Sequence, residues 1–339
     1  MNDVSVSDVI CNPEWLPHTY NMDGRELTFV HLPRAARSEI RFLFDNHFGV
    51  EFKKASFDGT SLTAAIDQAS LGSINFIFHT SFCGSTLLAR ALEIPGTATS
   101  LKEPAVLINV ANRVIDNDDR ANGARLELVL RLLERPFSER ESVISKQSNF
   151  ANRLVEPILR ARAESRAILL YSDLTTYLIS LLKRGMWGRI LGRKWFAQLV
   201  NWSKLKLDLD SDEILKLTDM QIAALAWLMQ IHHFDAMAKQ FGERIMLLET
   251  SQMLGAPATT MHHVSNFFDL GLTATDAEDI ANGPIFTKHS KFTDRNYSVE
   301  ERQRDTDAVG SANSEEIAMV VKWLETFAVH HGVTVRPSA

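Results

Sequence analysis

The chain has 339 residues, 45% hydrophobic and 23% charged, enough for one large domain, or a domain with an appendage, around a sizeable core. Its formal net charge of -6 gives no overall basic field to recruit nucleic acid, so any anion site has to be a local pocket. The only cysteines, Cys11 and Cys83, lie far apart in no metal-ligand spacing, no apolar stretch reaches membrane-spanning length, and Met1-Asn2-Asp3-Val4 does not read as a secretory leader; a cytoplasmic chain without disulfides, metal or membrane span is expected.

Residues 1–70 read as an N-terminal appendage, with a strand at Leu27–Leu32 and helical spacing over Ser38–Phe48 and Ser61–Ser70. No chemical motif sits there, and a cap, a regulatory piece and an interaction surface all fit. Residues 71–339 read as a separate α/β domain. Ile74–Phe78 is an apolar run of buried-strand length, and the residues after Gly84 have helical spacing. Pro95-Gly96 ends that helix. A second strand over Ala98–Leu101 delivers Lys102-Glu103-Pro104, helices follow at Ala105–Ile115 and Leu126–Leu133, and a third strand, Ser142–Ser145, leads into Lys146-Gln147-Ser148-Asn149. Helix Asn152–Arg162 returns to strand Ala167–Tyr171, and Ser172-Asp173-Leu174 opens helix Thr175–Lys183. The alternation indicates βαβ units and a mainly parallel sheet.

The middle reads as helical. Trp195–Leu205 is short and amphipathic, whereas Thr218–Phe241 is long, opens on a Thr218…Gln221 capping box and is apolar on most faces, as a core helix would be. His232 and His233 on it read as core or rim histidines, since no Cys or acidic cluster accompanies them. A last strand, Arg244–Glu249, and helices Ala256–Phe268 and Ser314–His331 complete the domain. Asn282–Gly310, polar and rich in both charges, is the most linker-like stretch.

The chemistry concentrates at the turn after Ile74–Phe78, where Ser81-Phe82-Cys83-Gly84-Ser85-Thr86 joins strand to helix. Unsatisfied N–H groups of a first helical turn and the helix dipole favour an anion there, and Ser and Thr add hydroxyl donors. The Walker A form of such a loop ends in Gly-Lys-Ser/Thr. Here Ser85 stands where that Lys would be and no Gly opens the loop, which argues against an ordinary ATP or GTP hydrolase. A plain Gly-containing strand-to-helix turn is the alternative.

Cys83-Gly84-Ser85-Thr86-Leu87-Leu88 resembles the second half of the 5′-phosphosulfate loop of P-loop sulfotransferases, in particular the bacterial and tyrosyl-protein branches. Phe82 departs from it, standing where that family carries a Lys or Arg that stabilises the bridging oxygen as the sulfuryl group leaves. Four later segments extend the resemblance over about three quarters of the chain. Glu103 falls where several branches place an acidic base. Ala167–Ser180 is similar to the family's 3′-phosphate element, with Ser180 matching its Ser and Ser172 standing where its Arg belongs. Arg244–Leu272 is similar to a recurrent segment, and Phe286–Lys291 to a basic loop that closes on the 3′-phosphate.

The resemblance implies a P-loop-type parallel sheet flanked by helices and transfer of a sulfuryl group from 3′-phosphoadenosine 5′-phosphosulfate to a hydroxyl, or amine, of a small molecule, glycolipid or peptide, without a divalent metal. Ser81, Phe82, Cys83, Gly84, Ser85 and Thr86 would hold the 5′ side. Ser172 and Ser180, with Lys288 and Lys291, belong to the 3′ side. Glu103 would be the general base, with an ion pair as its competing role, and Lys102 or Lys146 would supply the cation lost at Phe82, unless both are solvated strand-end charges. A non-catalytic P-loop protein that binds a nucleotide or partner is the second reading, favoured by Phe82 and Ser172. A P-loop phosphotransferase is a third.

Overall fold

Near the amino terminus, Asn21 builds a tight turn. Its side-chain oxygen accepts from the N–H groups of Arg25 and Glu26, and Gly24 takes the left-handed backbone (φ 72°) that closes it. The turn joins β1 (Trp15–Tyr20) to β2 (Glu26–His31), and β3 (Lys54–Asp58) completes a three-stranded antiparallel sheet in the order β1-β2-β3. The structure is a computed structural model and describes residues 4–44, 48, 51–113, 119–287 and 299–337.

A second sheet of five strands comprises β4 (Ile74–His79), β5 (Ala98–Lys102), β6 (Ser142–Lys146), β7 (Ala167–Tyr171) and β8 (Ile245–Glu249), in the order β5-β6-β4-β7-β8. β4 is buried along its whole length, as the run Ile-Asn-Phe-Ile-Phe-His requires of a central strand. It is parallel to β6, which is parallel to β5. Register places Ile77 opposite Lys146 and Lys146 opposite Lys102, so the carboxyl ends of these three strands are level. The chain visits β5 and β6 on one side of β4 before crossing to β7 and β8. The loop leaving β4 therefore lies at the reversal of strand order, where open α/β sheets bind ligands.

The chain forms two compact units, one of Met1–Phe78, Thr86–Ala167 and His263–Thr273, the other of His79–Ser85, Ile168–His262 and Ala274–Ala339. In the first, the fully buried Arg135 guanidinium donates to the carbonyls of Leu132 (2.6 Å), Ile10 (3.1 Å), Trp15 (2.6 Å) and Val9, fastening residues 9–15 to the end of helix Asp119–Leu133. In the second, helix Asp219–Phe241 opens on the expected capping box: Gln221 N–H donates to Thr218 Oγ1 (3.2 Å) and Thr218 N–H to Gln221 Oε1 (2.9 Å). Its buried residues include Ile222, Leu225, Trp227, Leu228, Ile231 and Phe234, which makes it the core of that unit.

Three expectations change. Helical spacing over Ser38–Phe48 misleads: the helix is Arg34–Glu39 and ends at an extended Ile40. Leu43 N–H instead donates to the Lys102 carbonyl (2.8 Å) and its carbonyl accepts from Ala105 (3.2 Å), so tertiary hydrogen bonds replace the helical ones. The helix expected at Trp195–Leu205 runs from Gly185 to Leu199. Gly188 and Gly192 weaken the local helix signal, but a Cβ at Gly192 would come within 2.8 Å of the Ala223 Cβ, so close helix packing requires the glycine. Part of the linker-like stretch is helical, at Pro284–Thr287 and Val299–Ala312, an assignment its polar composition conceals. Among the described residues no helix is long and apolar enough to cross a membrane.

Candidate active site

β4 ends at His79, and the backbone then turns through left-handed conformations at Ser81 (φ 74°), Phe82 (φ 55°) and Gly84 (φ 81°) before helix Ser85–Ala91. Such a sequence of conformations turns successive N–H groups into a concavity suited to an anion. The loop is held from outside. The Thr250 hydroxyl lies 2.7 Å from the Cys83 carbonyl and 3.0 Å from that of Tyr171, Thr80 N–H donates to Leu170 (3.1 Å), and Ser81 N–H donates to His79 Nδ1 (2.9 Å). The Cys83 thiol is buried and donates to the Leu170 carbonyl (3.4 Å), so Cys83 faces an anion only through its backbone. Gly84 is required by its positive φ, and a Cβ there would also make the flexible end of Met253 shift.

The loop hydroxyls are open. Ser81, Ser85 and Thr86 are buried to 5–6% exposure, and their hydroxyls make no hydrogen bond among the described residues. Thr80 Oγ1 and Ser172 Oγ are buried without partners. Buried polar atoms left unpaired are costly, and a ligand oxygen would satisfy them. Ser172 is fixed through its carbonyl, which accepts from Trp227 Nε1 (3.0 Å). Ser180 lies two turns along helix Leu174–Leu182, itself capped by Asp173 accepting from Thr176 N–H (3.0 Å).

Phe82 packs against two side chains of the same unit. Its ring centroid lies 5.4 Å from that of Trp195, and Arg184 Cζ stands 3.7 Å above it. Arg184 Nη1 also donates to the Ser180 carbonyl. Arg184 lies one residue past the helix expected from the sequence, and its only local signal is its spacing of four residues from Ser180.

In the first unit, β5 and β6 bring Glu103 and Lys146 together. They form a buried ion pair, with Lys146 Nζ also 5.2 Å from the centre of the Phe42 ring. Glu103 sits in the left-handed region (φ 57°), and its N–H donates to the Lys146 carbonyl (2.7 Å). Non-glycine residues held in that region cluster at functional sites. The solvated strand-end picture of the two lysines is overturned: Lys102 is 3% exposed and Lys146 1%. Lys102 Nζ donates to the Ser38 carbonyl (2.6 Å), and burial pushes its pKa down to about 8. Lys288 and Lys291 lie outside the described residues.

No family model matches the chain, and no curated protein matches it. Among solved structures it is similar to a sulfotransferase domain from the curacin biosynthetic pathway, at 14% identity and a TM-score of 0.43, over 72% of this chain and 98% of that one. It is likewise similar to sulfotransferase STF9 from Mycobacterium avium, at 13% identity and 0.43, over 77% and 82%. The sulfotransferase domain of the Synechococcus PCC 7002 olefin synthase follows at 12% and 0.40, over 72% and 96%. The likeness is a distant one of fold. It transfers no residue role, and the functional reading rests on the side chains above.

One cavity of the second unit, about 710 Å³, is lined among others by Lys204, His232, Phe327 and His331. It contains none of the expected catalytic or donor-binding residues, and it makes His232 a rim histidine. Among the described residues no cluster of His, Cys, Asp and Glu could hold a metal ion.

Proposed function

We propose that the chain is a sulfotransferase that uses 3′-phosphoadenosine 5′-phosphosulfate as donor and a hydroxyl or amine as acceptor. The observation that carries this reading is the loop after β4: left-handed backbone at Ser81, Phe82 and Gly84, no Walker lysine, and hydroxyls of Ser81, Ser85 and Thr86 that make no hydrogen bond among the described residues. Those residues fit an anionic group, and the unpartnered Thr80 Oγ1 and Ser172 Oγ supply two more buried oxygens that a ligand would complete. The donor contributes the activated sulfuryl group.

The protein's share of such a transfer is positioning and charge stabilisation, because the transition state of an in-line transfer is loose. Ser81–Thr86 would orient the 5′ side through hydroxyl groups and through backbone N–H groups other than that of Ser81, which His79 holds. Ser180, with Ser172, would face the 3′ side, and Lys288 or Lys291 would add charge there. Glu103 would take the acceptor's proton, and Lys146, its partner, would hold the carboxylate in place.

A non-catalytic protein that binds a nucleotide or a partner is the second reading, favoured by Phe82 and Ser172 at the positions where the resemblance calls for a Lys or Arg and for an Arg. Incubation with labelled phosphosulfate donor and a panel of hydroxyl acceptors, beside labelled ATP, separates the readings. The proposal predicts transfer of label from the sulfate donor only. Donor binding without transfer to any acceptor favours the second reading, and transfer from ATP would establish a phosphotransferase.

A further inference from the structure

Arg184 ends the segment after helix Leu174–Leu182 and caps helix Gly185–Leu199, so its backbone is fixed between two helices of one unit. Its guanidinium is held on two sides. The Phe82 ring lies beneath it at 3.7 Å, well inside cation–π range, and the Ser180 carbonyl accepts from Nη1. Nε and Nη2 make no hydrogen bond among the described residues, and no carboxylate pairs with it there. A partly desolvated guanidinium with two donors free is an incomplete arrangement, since arginine recognises oxyanions through paired N–H groups. Burial depresses its pKa, in keeping with a charge that lacks a counter-ion. The ring that seats it is the side chain at loop position 82.

We infer that Arg184 is the cation of the anion-binding loop, delivered from the junction of two helices onto the face of Phe82 in place of a basic side chain at position 82. This rests on the proposed function for the loop and deepens it by naming the charge that the loop itself lacks. Phe82 is then a positioning residue. Its ring seats the guanidinium, and the Trp195 ring packs against it at 5.4 Å. Neither Lys102, spent on the Ser38 carbonyl, nor Lys146, paired with Glu103, is needed for that charge.

The test uses the full chain, 3′,5′-adenosine bisphosphate as probe, and calorimetric titration at two salt concentrations. Wild type binds, Arg184→Gln binds about 10- to 100-fold more weakly with a shallower salt dependence, and Arg184→Lys falls between them. A purely structural arginine would not change the salt dependence. Phe82→Arg placed in the Arg184→Gln background returns affinity, because the charge is rebuilt within the loop. Equal affinity of wild type and Arg184→Gln overturns the inference and leaves the proposed function standing. Failure of the double variant to recover affinity at an unchanged melting temperature also overturns it. A wild type that does not bind the bisphosphate removes both the proposed function and this inference.

Discussion

Arg135 and Arg184 are both desolvated arginines with no carboxylate partner among the described residues, and the two regions use them in opposite ways. Arg135 is fully buried, its pKa pushed down to about 9, and it spends its donors on carbonyls of residues 9–15 and Leu132. Arg184 is half-buried, leans on an aromatic ring and, among the described residues, leaves two nitrogens without a hydrogen bond. A saturated cation is a fastener, whereas one with donors to spare on the ring of a loop residue is the group we propose as a receptor for charge. Lys146 and Lys102 stand between these extremes, one with a carboxylate partner and one with a carbonyl.

The largest expected effect sharpens the case of Lys146. Glu103→Gln keeps shape and a hydrogen-bond acceptor but cannot take a proton, so turnover should fall by roughly 10²–10⁴ with donor affinity nearly unchanged. A destabilised variant with near-normal single-turnover sulfation would leave Glu103 as Lys146's counter-ion and nothing more. Arg135→Met comes next, with a loss of about 3–4 kcal/mol of unfolding free energy in denaturant titrations, because buried carbonyls lose their donor. If Arg135→Met costs no more stability than Arg184→Met, the contrast between fastener and receptor collapses.

Lys102 gives a pH test. Its folded pKa of about 8 lies below the ordinary 10.5, so the unfolded chain binds more protons between those values and wild-type stability rises with pH across that window. Below about pH 8 both states hold the proton and the full penalty of a buried charge remains. The stability difference between wild type and Lys102→Met should therefore move in favour of wild type by about 2–3 kcal/mol from pH 7 to pH 10. A difference that stays flat would show that Lys102 is not desolvated. The smallest effect is expected for Arg184→Met, within about 1 kcal/mol of wild type in stability, as for a side chain whose partners are a ring face and one carbonyl.

The sheet strands were legible because β4 through β8 are short apolar runs set between helical stretches, and the Thr218…Gln221 capping box announced the core helix by two side chains. The helix expected over Ser38–Phe48 was not, since Leu43 pairs its backbone with residues sixty positions away. The loop could be read from Gly84-Ser85-Thr86, whose residue types are what a strand-to-helix anion loop needs. Arg184 could not, because it meets Phe82, 102 residues earlier, only in the tertiary fold, and no local pattern encodes that contact. The Glu103–Lys146 pair similarly depends on the parallel register of β5 and β6.

The central claim is that the loop after β4 is an anion site for the 5′ end of an adenosine nucleotide. Calorimetric titration of wild type and Thr86→Ala with 3′,5′-adenosine bisphosphate tests it most directly. Thr86 would contribute one hydroxyl to a charged group, so the account predicts saturable wild-type binding and a loss of about 1.5–3 kcal/mol in the variant at unchanged melting temperature. Equal affinity of the two proteins would contradict the assignment of the loop.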